Sequence, residues 1–400
     1  WGVARLVPSR AGAAVAVTAY TWNAYVFERL AIGHWGFLLG YAALPWVVAT
    51  ASAARAARPG ALAALALTLS LAGLAGSTSL VLAAGLALGV LLAPGVSPGR
   101  WRALAVAVVA AGLAACSWLI PALSRAGGLD SDPRAVAAFA TSADTPLGSL
   151  GSAITLGGIW NPAVWPAERA SLLLSLAALL AVVAALAWGA PGFARASGGT
   201  AWGVLSVAVL GFVVAMAGVT PGLSGLLEHV VTGVPGGGLL RDGQKFLAPF
   251  SLAVALCAGH AVARLRPSLA ALGFLLALLP VALLPSLAWG AHGRLVPVRY
   301  PGEWAQLQHA VAVEQARSPG DVLVLPFTLY RRFDWNGGRI VLDPAPRWLD
   351  ARVVVNDDLP LSTRTVRGED ARARKVRTAL ADGGDLVAVL EREGVSLVVV

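Results

Sequence analysis

Several long apolar windows of this chain contain no Asp, Glu, Lys or Arg: 35–54, 59–99, 103–124, 170–194, 196–227, 246–263 and 267–293. A helix needs ~20 mostly apolar residues to cross the hydrocarbon core of a bilayer. Lipid offers no partner to an unpaired backbone amide, so windows of this length read as membrane helices. Window 59–99 is too long for one crossing. It holds Gly76-Ser77-Thr78-Ser79 near its middle, which predicts two short helices. Residues 11–22 finish a further crossing that begins near Arg10. The expected fold is a polytopic α-helical membrane protein of about nine crossings.

Charge divides the chain in two. Charged residues are 13% of the whole, against about 25% in an ordinary soluble domain. Residues 1–290 hold 22 of these 51 side chains and residues 291–400 hold 29. The reading is a transmembrane body over 1–290, with outer loops 21–34, 122–168 and 219–245, followed by a small extracytoplasmic α/β domain over 291–400. The chain starts at Trp1 and stops inside the apolar run Val395–Val400, so it reads as an internal piece of a longer protein. No secretory signal peptide is visible, which says little where the start is missing.

Orientation follows from the window ends. Arg5, Arg10, Arg55, Arg58, Arg100, Arg102, Arg195, Arg264 and Arg266 fall on one side, with no acid among them. Glu28, Asp130, Asp132, Asp144, Glu168, Glu228 and Asp242 fall on the other, beside six basic residues. Positive short loops mark the cytoplasm. A split at Gly76 is what keeps Arg55 and Arg100 on the same side. The pI of about 10.5 then comes from cytoplasmic arginines, and no nucleic-acid partner is implied. Trp22, Tyr25, Trp35, Tyr41, Trp118, Trp160, Trp165, Trp289 and Trp304 fall near the outer boundary, where amphipathic rings anchor. Cys116 and Cys257 lie inside crossings and read as packing residues.

The long outer loops are where chemistry is expected. In 21–34, Glu28 and Arg29 sit close to apolar spans on both sides. One reading is a local ion pair closing a turn, with His34 interfacial. The other is a polar floor beneath a site, with Glu28 or His34 handling a proton and Arg29 holding an anion. In 233–246, Gly238-x4-Gly243-Gln244-Lys245 misses the nucleotide P-loop, because no Gly-Lys-Ser/Thr ending is present. Arg241 and Lys245 are four apart before the crossing at Phe246. A helix starting one turn early would put both on one face at its positive end, an arrangement suited to phosphate. Binding of lipid headgroups, or pairing with Asp242, is the plainer use of the two cations. In 122–168, Ser131 or Asp132 can cap a short helix with Pro133 at its first position, lying on the membrane surface.

In the tail, helices are expected over 302–317, 370–381 and 385–393, and strands over 321–325, 352–355 and 395–400. Strands alternating with helices suggest an α/β unit. The sequence identifies no cofactor. Asp357-Asp358 after a strand is where a divalent metal would sit, although solvated turn acids are commoner. Tyr330–Trp335 mixes aromatic and polar side chains as sugar-binding surfaces do, and as interfacial packing does too.

Trp22-Asn23-x-Tyr25-Val26-x-Glu28-Arg29-Leu30, Gly33-His34-Trp35 and Leu38-Leu39-Gly40-Tyr41 resemble the GT-C class of membrane glycosyltransferases. The actinobacterial enzymes similar to cell-envelope arabinofuranosyltransferases are nearest, and the high Ala, Gly and Arg content fits that source. The specific part of the resemblance covers residues 20–46. It implies transfer of a sugar from a polyprenyl-phosphate donor to a cell-envelope glycan, on the outer face of the cell membrane. The class's catalytic acid lies in its first outer loop, and no matching motif is present, so that acid is expected upstream of Trp1. Glu28, Arg29, His34, Arg241 and Lys245 are the expected substrate-binding residues. A transporter or flippase of lipid-linked saccharide and a non-catalytic envelope assembly protein are the competing readings. Every charge lies near a window edge, which counts against proton coupling.

Overall fold

The computed structural model describes residues 2–124, 132–234, 236–361, 365–383 and 385–400. Their contacts form two compact units: residues 1–122 with 136–295, and residues 123–135 with 296–400.

The first unit is helical. Its helices are α1 (Arg10–Thr21), α2 (Ala24–Ala31), α3 (Trp35–Arg55), α4 (Ala61–Leu74), α5 (Ser77–Leu92), α6 (Arg100–Leu123), α7 (Arg134–Ala138), α8 (Gly148–Ile154), α9 (Leu172–Ser197), α10 (Gly199–Ala217), α11 (Leu223–Gly233), α12 (Ala248–Ala263), α13 (Ala270–Leu276), α14 (Leu279–Leu283) and α15 (Ala288–Gly293). Five described helices are long and apolar enough to cross a membrane: α3, α6, α9, α10 and the segment Gly243–Ala263 that contains α12. A sixth is reached only by joining Ala271–Leu283 to Pro285–Gly293 across a 78° bend.

Nine crossings is therefore not what the helix lengths give. Window 59–99 does break at Gly76, where φ is +118°. Its halves, α4 and α5, have 14 and 16 residues, about 21 and 24 Å at 1.5 Å per residue. Each falls short of a hydrocarbon core of about 30 Å. Window 267–293 was expected to cross in one piece. Pro280 and Pro285 cannot donate to a helix interior, and the chain bends there instead.

At one end of the bundle, Arg55 and Arg100 both donate to the Gly95 carbonyl, at 3.3 and 3.0 Å. The two arginines thus share an end, as the charge pattern requires. The helices approach closely through small residues. A Cβ on Gly12 would lie 2.3 Å from the Gly259 carbonyl oxygen, and one on Gly189 would lie 1.8 Å from that of Cys257. Such contacts draw α1 and α9 onto α12, as small residues do where lipid supplies no hydrophobic drive between helices. Tyr25 and Tyr41, expected as interfacial anchors, are buried in this core, whereas Trp35 and Trp289 are exposed. Cys257 is a buried packing residue and Cys116 is exposed.

The second unit carries α16 (Gly302–Arg317), β1 (Asp321–Val324), β2 (Tyr330–Arg332), β3 (Ile340–Leu342), α17 (Ala345–Trp348), β4 (Val353–Val354), β5 (Leu359–Pro360), β6 (Thr365–Val366), α18 (Ala371–Asp382), α19 (Leu386–Arg392) and β7 (Val395–Val399). Its main sheet is parallel in the order β4-β1-β7. Alternation along β1 serves both faces. Val322 and Val324 pack with Val311 and Leu349, while Leu323 packs with Val376 and Leu390. Asp132 caps the short helix after it by accepting from the Arg134 amide at 2.9 Å. The alternative cap, Ser131, lies outside the described residues, as does Asp130.

Candidate functional site

The polar investment of the helical unit converges on one buried network. Asn23 caps α2 by accepting from the Val26 amide at 3.0 Å. The amphipathic helix that follows turns Tyr25, Phe27, Glu28 and Arg29 inward, and Glu28 and Arg29 are both fully buried. The Arg29 guanidinium donates to Asp242 at 3.1 and 3.4 Å and to the Gln244 side-chain oxygen. The rings of Tyr25 and Phe37 lie 5.5 and 5.8 Å from it, so flat faces as well as a carboxylate stabilise the cation. The expected local pair between Glu28 and Arg29 is replaced by a pair between Arg29 and Asp242, 213 residues apart in sequence.

Glu28 is tied in from the other side. Its Oε2 accepts from the Ile159 amide and from Gln244 Nε2, both at 3.2 Å, while its Oε1 is buried without a donor. Gln244 thus bridges the carboxyl to the guanidinium. Burial raises the Glu28 carboxyl well above the usual range, and the neighbouring Asp144 carboxylate adds to the rise. Asp144 feels the same burial, but the Arg169 guanidinium outweighs it and holds the Asp144 carboxyl low. Arg169 grips Asp144 with two nitrogens, one at 2.9 Å, and spends its remaining donors on Thr155 and Ser152. Burial likewise raises Asp242, yet the Arg29 and Lys245 cations prevail and hold it far below the carboxylate range. Two of the acids are thus held low by cations, and the third is pushed up by burial.

His34 adds a directional element. Its Nδ1 is 3.0 Å from Arg29 Nη1. A guanidinium can only donate, so Nδ1 accepts and the ring proton sits on Nε2. Burial, with the Arg29 and Lys245 charges, lowers the imidazole to about 4. At neutral pH, His34 is a hydrogen-bond donor through Nε2, with its basic nitrogen already occupied.

Lys245 does not start a helix on a shared face with Arg241. Residues Gly243–Leu247 form a 3-10 turn before α12. Lys245 Nζ lies 3.3 Å from Asp242 and 5.9 Å from the Phe37 ring, with about a quarter of its side chain exposed. Arg241 stands 5.6 Å from the Phe139 ring. Glu28, Arg29, His34 and Lys245 thus meet around Asp242, with Arg241 at the margin. Lys245 pairs with Asp242, the plainer use read from sequence for that cation, whereas Gln244, Asp144 and Arg169 were not singled out as site residues. The available signal was that an apolar body carries few acids, of which Asp242 and Asp144 found a cation.

In the second unit the Asp357-Asp358 carboxylates are occupied. Asp357 accepts from the Glu369 and Asp370 amides at 2.7 and 2.9 Å, and Asp358 accepts from the Gly368 amide at 2.8 Å and pairs with Arg377. Among the described residues, no three His, Cys, Asp or Glu side chains are grouped as metal ligands. Phe333 and Trp335 of the Tyr330–Trp335 stretch join an aromatic cluster with Tyr300, Trp304 and Trp348.

No family model and no curated protein matches the sequence. Two electron cryomicroscopy structures do match the fold. Arabinofuranosyltransferase AftD from Mycobacteria is 21% identical, with a TM-score of 0.59 over 98% of this chain and 27% of that one. A mutant of the same protein gives 21% identity and a TM-score of 0.55 over 99% and 28%. The chain therefore shares the fold of part of a multi-pass membrane protein, and it spans about a quarter of the length of the AftD chains it matches.

Proposed function

We propose that this chain is the membrane-embedded part of a glycosyltransferase that moves a sugar from a polyprenyl-phosphate donor to a cell-envelope glycan on the outer face. The observation that carries the reading is a preorganised cationic edge. Lys245 is held by Asp242 and Phe37, while Arg29, buried behind it, keeps Asp242 ionised and in place. A fold shared over nearly its whole length with an arabinofuranosyltransferase supports the same reading.

In the reaction, the bond between the anomeric carbon and the donor phosphate oxygen breaks as the acceptor oxygen bonds to that carbon. The acceptor proton passes to a base, and the electron pair stays on the phosphate. Lys245 and Arg241 would hold that phosphate and stabilise its charge on departure. His34 would donate from Nε2 to a sugar or phosphate oxygen. None of the network's own acids suits the role of base. Asp242 and Asp144 are committed to guanidinium groups, and Glu28 is held by the Ile159 amide and Gln244. The network is thus assigned binding and positioning.

The test is transfer from a polyprenyl-phosphate sugar by the full-length protein in proteoliposomes. Replacing both cations, Lys245→Ala with Arg241→Ala, is expected to lower the turnover rate about 100-fold or more. Unchanged transfer sinks the assignment. Movement of lipid-linked sugar across the bilayer with no glycan product would replace the reading with transport.

A further inference from the structure

Abutting this network at Arg169 and Thr155, the helical unit contains an elongated cavity of about 440 Å³ between α1, α9, α12 and the broken segment α13–α14. Its walls are small and apolar, with Ala178, Ala181 and Ala185 from α9 facing Ala258 and Ala261 from α12. Along α9 the lining runs from Leu174 to Trp188, about 21 Å at 1.5 Å per residue. That is most of a hydrocarbon core about 30 Å thick. The shape is that of one extended chain lying parallel to the helices. The polar groups at the Leu174 end are spoken for. Arg169 is bound to Asp144, and Glu168 accepts from the amide and hydroxyl of Ser286 at 2.8 Å. That end therefore offers no ready cation to a phosphate.

The opposite end differs. Trp188 lines the cavity and is 66% exposed, so the space reaches the bilayer-facing surface there. Arg195 lies seven residues further along α9, on the same helical face as Trp188. Arg264 and Arg266 flank Leu265, itself a lining residue, and all three arginines are exposed. Arg264 uses one donor on the Trp188 carbonyl at 2.7 Å and has others to offer. The helix C-termini here are negative, so a phosphate would depend on the arginines alone.

We infer that this cavity is a binding site for one acyl chain of an anionic phospholipid, which enters past Trp188 while its phosphate rests on Arg195, Arg264 and Arg266. The site is independent of glycosyl transfer. It takes a lipid of the arginine-bearing side, where anionic headgroups meet basic residues. Its occupant fills space that the small side chains of α9 and α12 leave between them.

The test uses the full-length protein in phosphatidylcholine nanodiscs doped with phosphatidylglycerol carrying a mid-chain diazirine. After illumination, labelled positions are mapped by mass spectrometry. Labels are expected on 174–188 and 254–265. Each arginine-to-glutamine change at 195, 264 or 266 is expected to lower labelling about fivefold. Ala181→Phe should abolish it while the thermal transition is kept, with Ala184→Phe as a second filler should the first fail to fold. Labels spread evenly over exposed positions such as Leu173 and Leu180 would overturn the site. So would labelling that the arginine and phenylalanine changes leave intact, or equal labelling by a diazirine phosphatidylcholine. Preferential labelling by a diazirine polyprenyl phosphate would also overturn it, and would give the cavity to an isoprenoid chain.

Discussion

Two carboxylate-bearing regions drew attention in the sequence, and the structure uses them in opposite ways. Around Asp242, acids and cations from three distant segments are withdrawn from solvent and hold one another through long-range bonds. Around Asp357, two adjacent acids bind backbone amides only ten to thirteen residues away. The first arrangement is a tertiary device whose members cannot be removed singly without leaving a buried charge. The second is a local clasp on a turn. An acid in a sequence looks alike in both settings. What separates them is whether the partners lie nearby in the chain, as the amides and Arg377 do around Asp357, or come from distant segments.

The sharpest way to break that comparison is Asp242→Ala. It leaves the Arg29 guanidinium fully buried with no carboxylate. Removing one partner of a buried pair costs about 3–5 kcal/mol. Thermal or denaturant unfolding in detergent should show that loss. A change under 1 kcal/mol would mean that water reaches Arg29, and the two regions would then be the same kind of structure.

Acid should distinguish them next. The His34 imidazole is lowered to about 4 in the fold, against about 6.5 when free. The unfolded chain therefore binds the extra proton first as pH falls. The stability that neutral His34 contributes is whole above pH 6.5 or so and drains away towards pH 4. The loss is of order 1–3 kcal/mol, discounted for the solvent that reaches the ring. Melts of the wild type at pH 7 and pH 4.5, beside His34→Gln, isolate it. The variant should lose less over that window. Equal losses would show that His34 takes up its proton as readily in the fold as in the unfolded chain.

The helical regions were largely legible because the bilayer's length rule is severe. Charge-free windows located the five long helices, and Gly76 located the break in 59–99. The tail was legible to within a few residues, as at Gly302–Arg317 and Asp321–Val324, because period and caps are local signals. What escaped was what sequence distance hides. Nothing near Arg29 announces Asp242, and nothing near Glu28 announces Gln244. The near miss to a P-loop pointed at the right loop for the wrong reason, since Asp242, Gln244 and Lys245 serve a network rather than a nucleotide.

A smaller effect is expected on the clasp. Asp357→Ala frees the Glu369 and Asp370 amides near the start of α18, in a part-buried setting. Loss of a cap-like acceptor costs about 1 kcal/mol. Hydrogen exchange at the start of α18 should quicken while sugar transfer is untouched. A fall in transfer would tie this turn to the chemistry and erase the contrast with Asp242.

The smallest effect is the most discriminating. Glu28 is fully buried and sits beside the Asp144 carboxylate, and both circumstances raise its carboxyl and favour the protonated form. Glutamine nearly copies a protonated glutamate. Its oxygen can still accept from the Ile159 amide and Gln244, and its amide can face Asp144 as the acid's proton does. Glu28→Gln should therefore shift stability by about 0.5 kcal/mol or less, below the cost of a lost buried hydrogen bond. Were Glu28 ionised instead, the same change would delete a buried negative charge from among Arg29, Arg169 and Asp144. The transition would then move by several degrees. An unchanged melt, set beside the collapse expected from Asp242→Ala, would show that two acids linked through Gln244 and Arg29 in the same network do unequal things, one carrying charge and the other a proton.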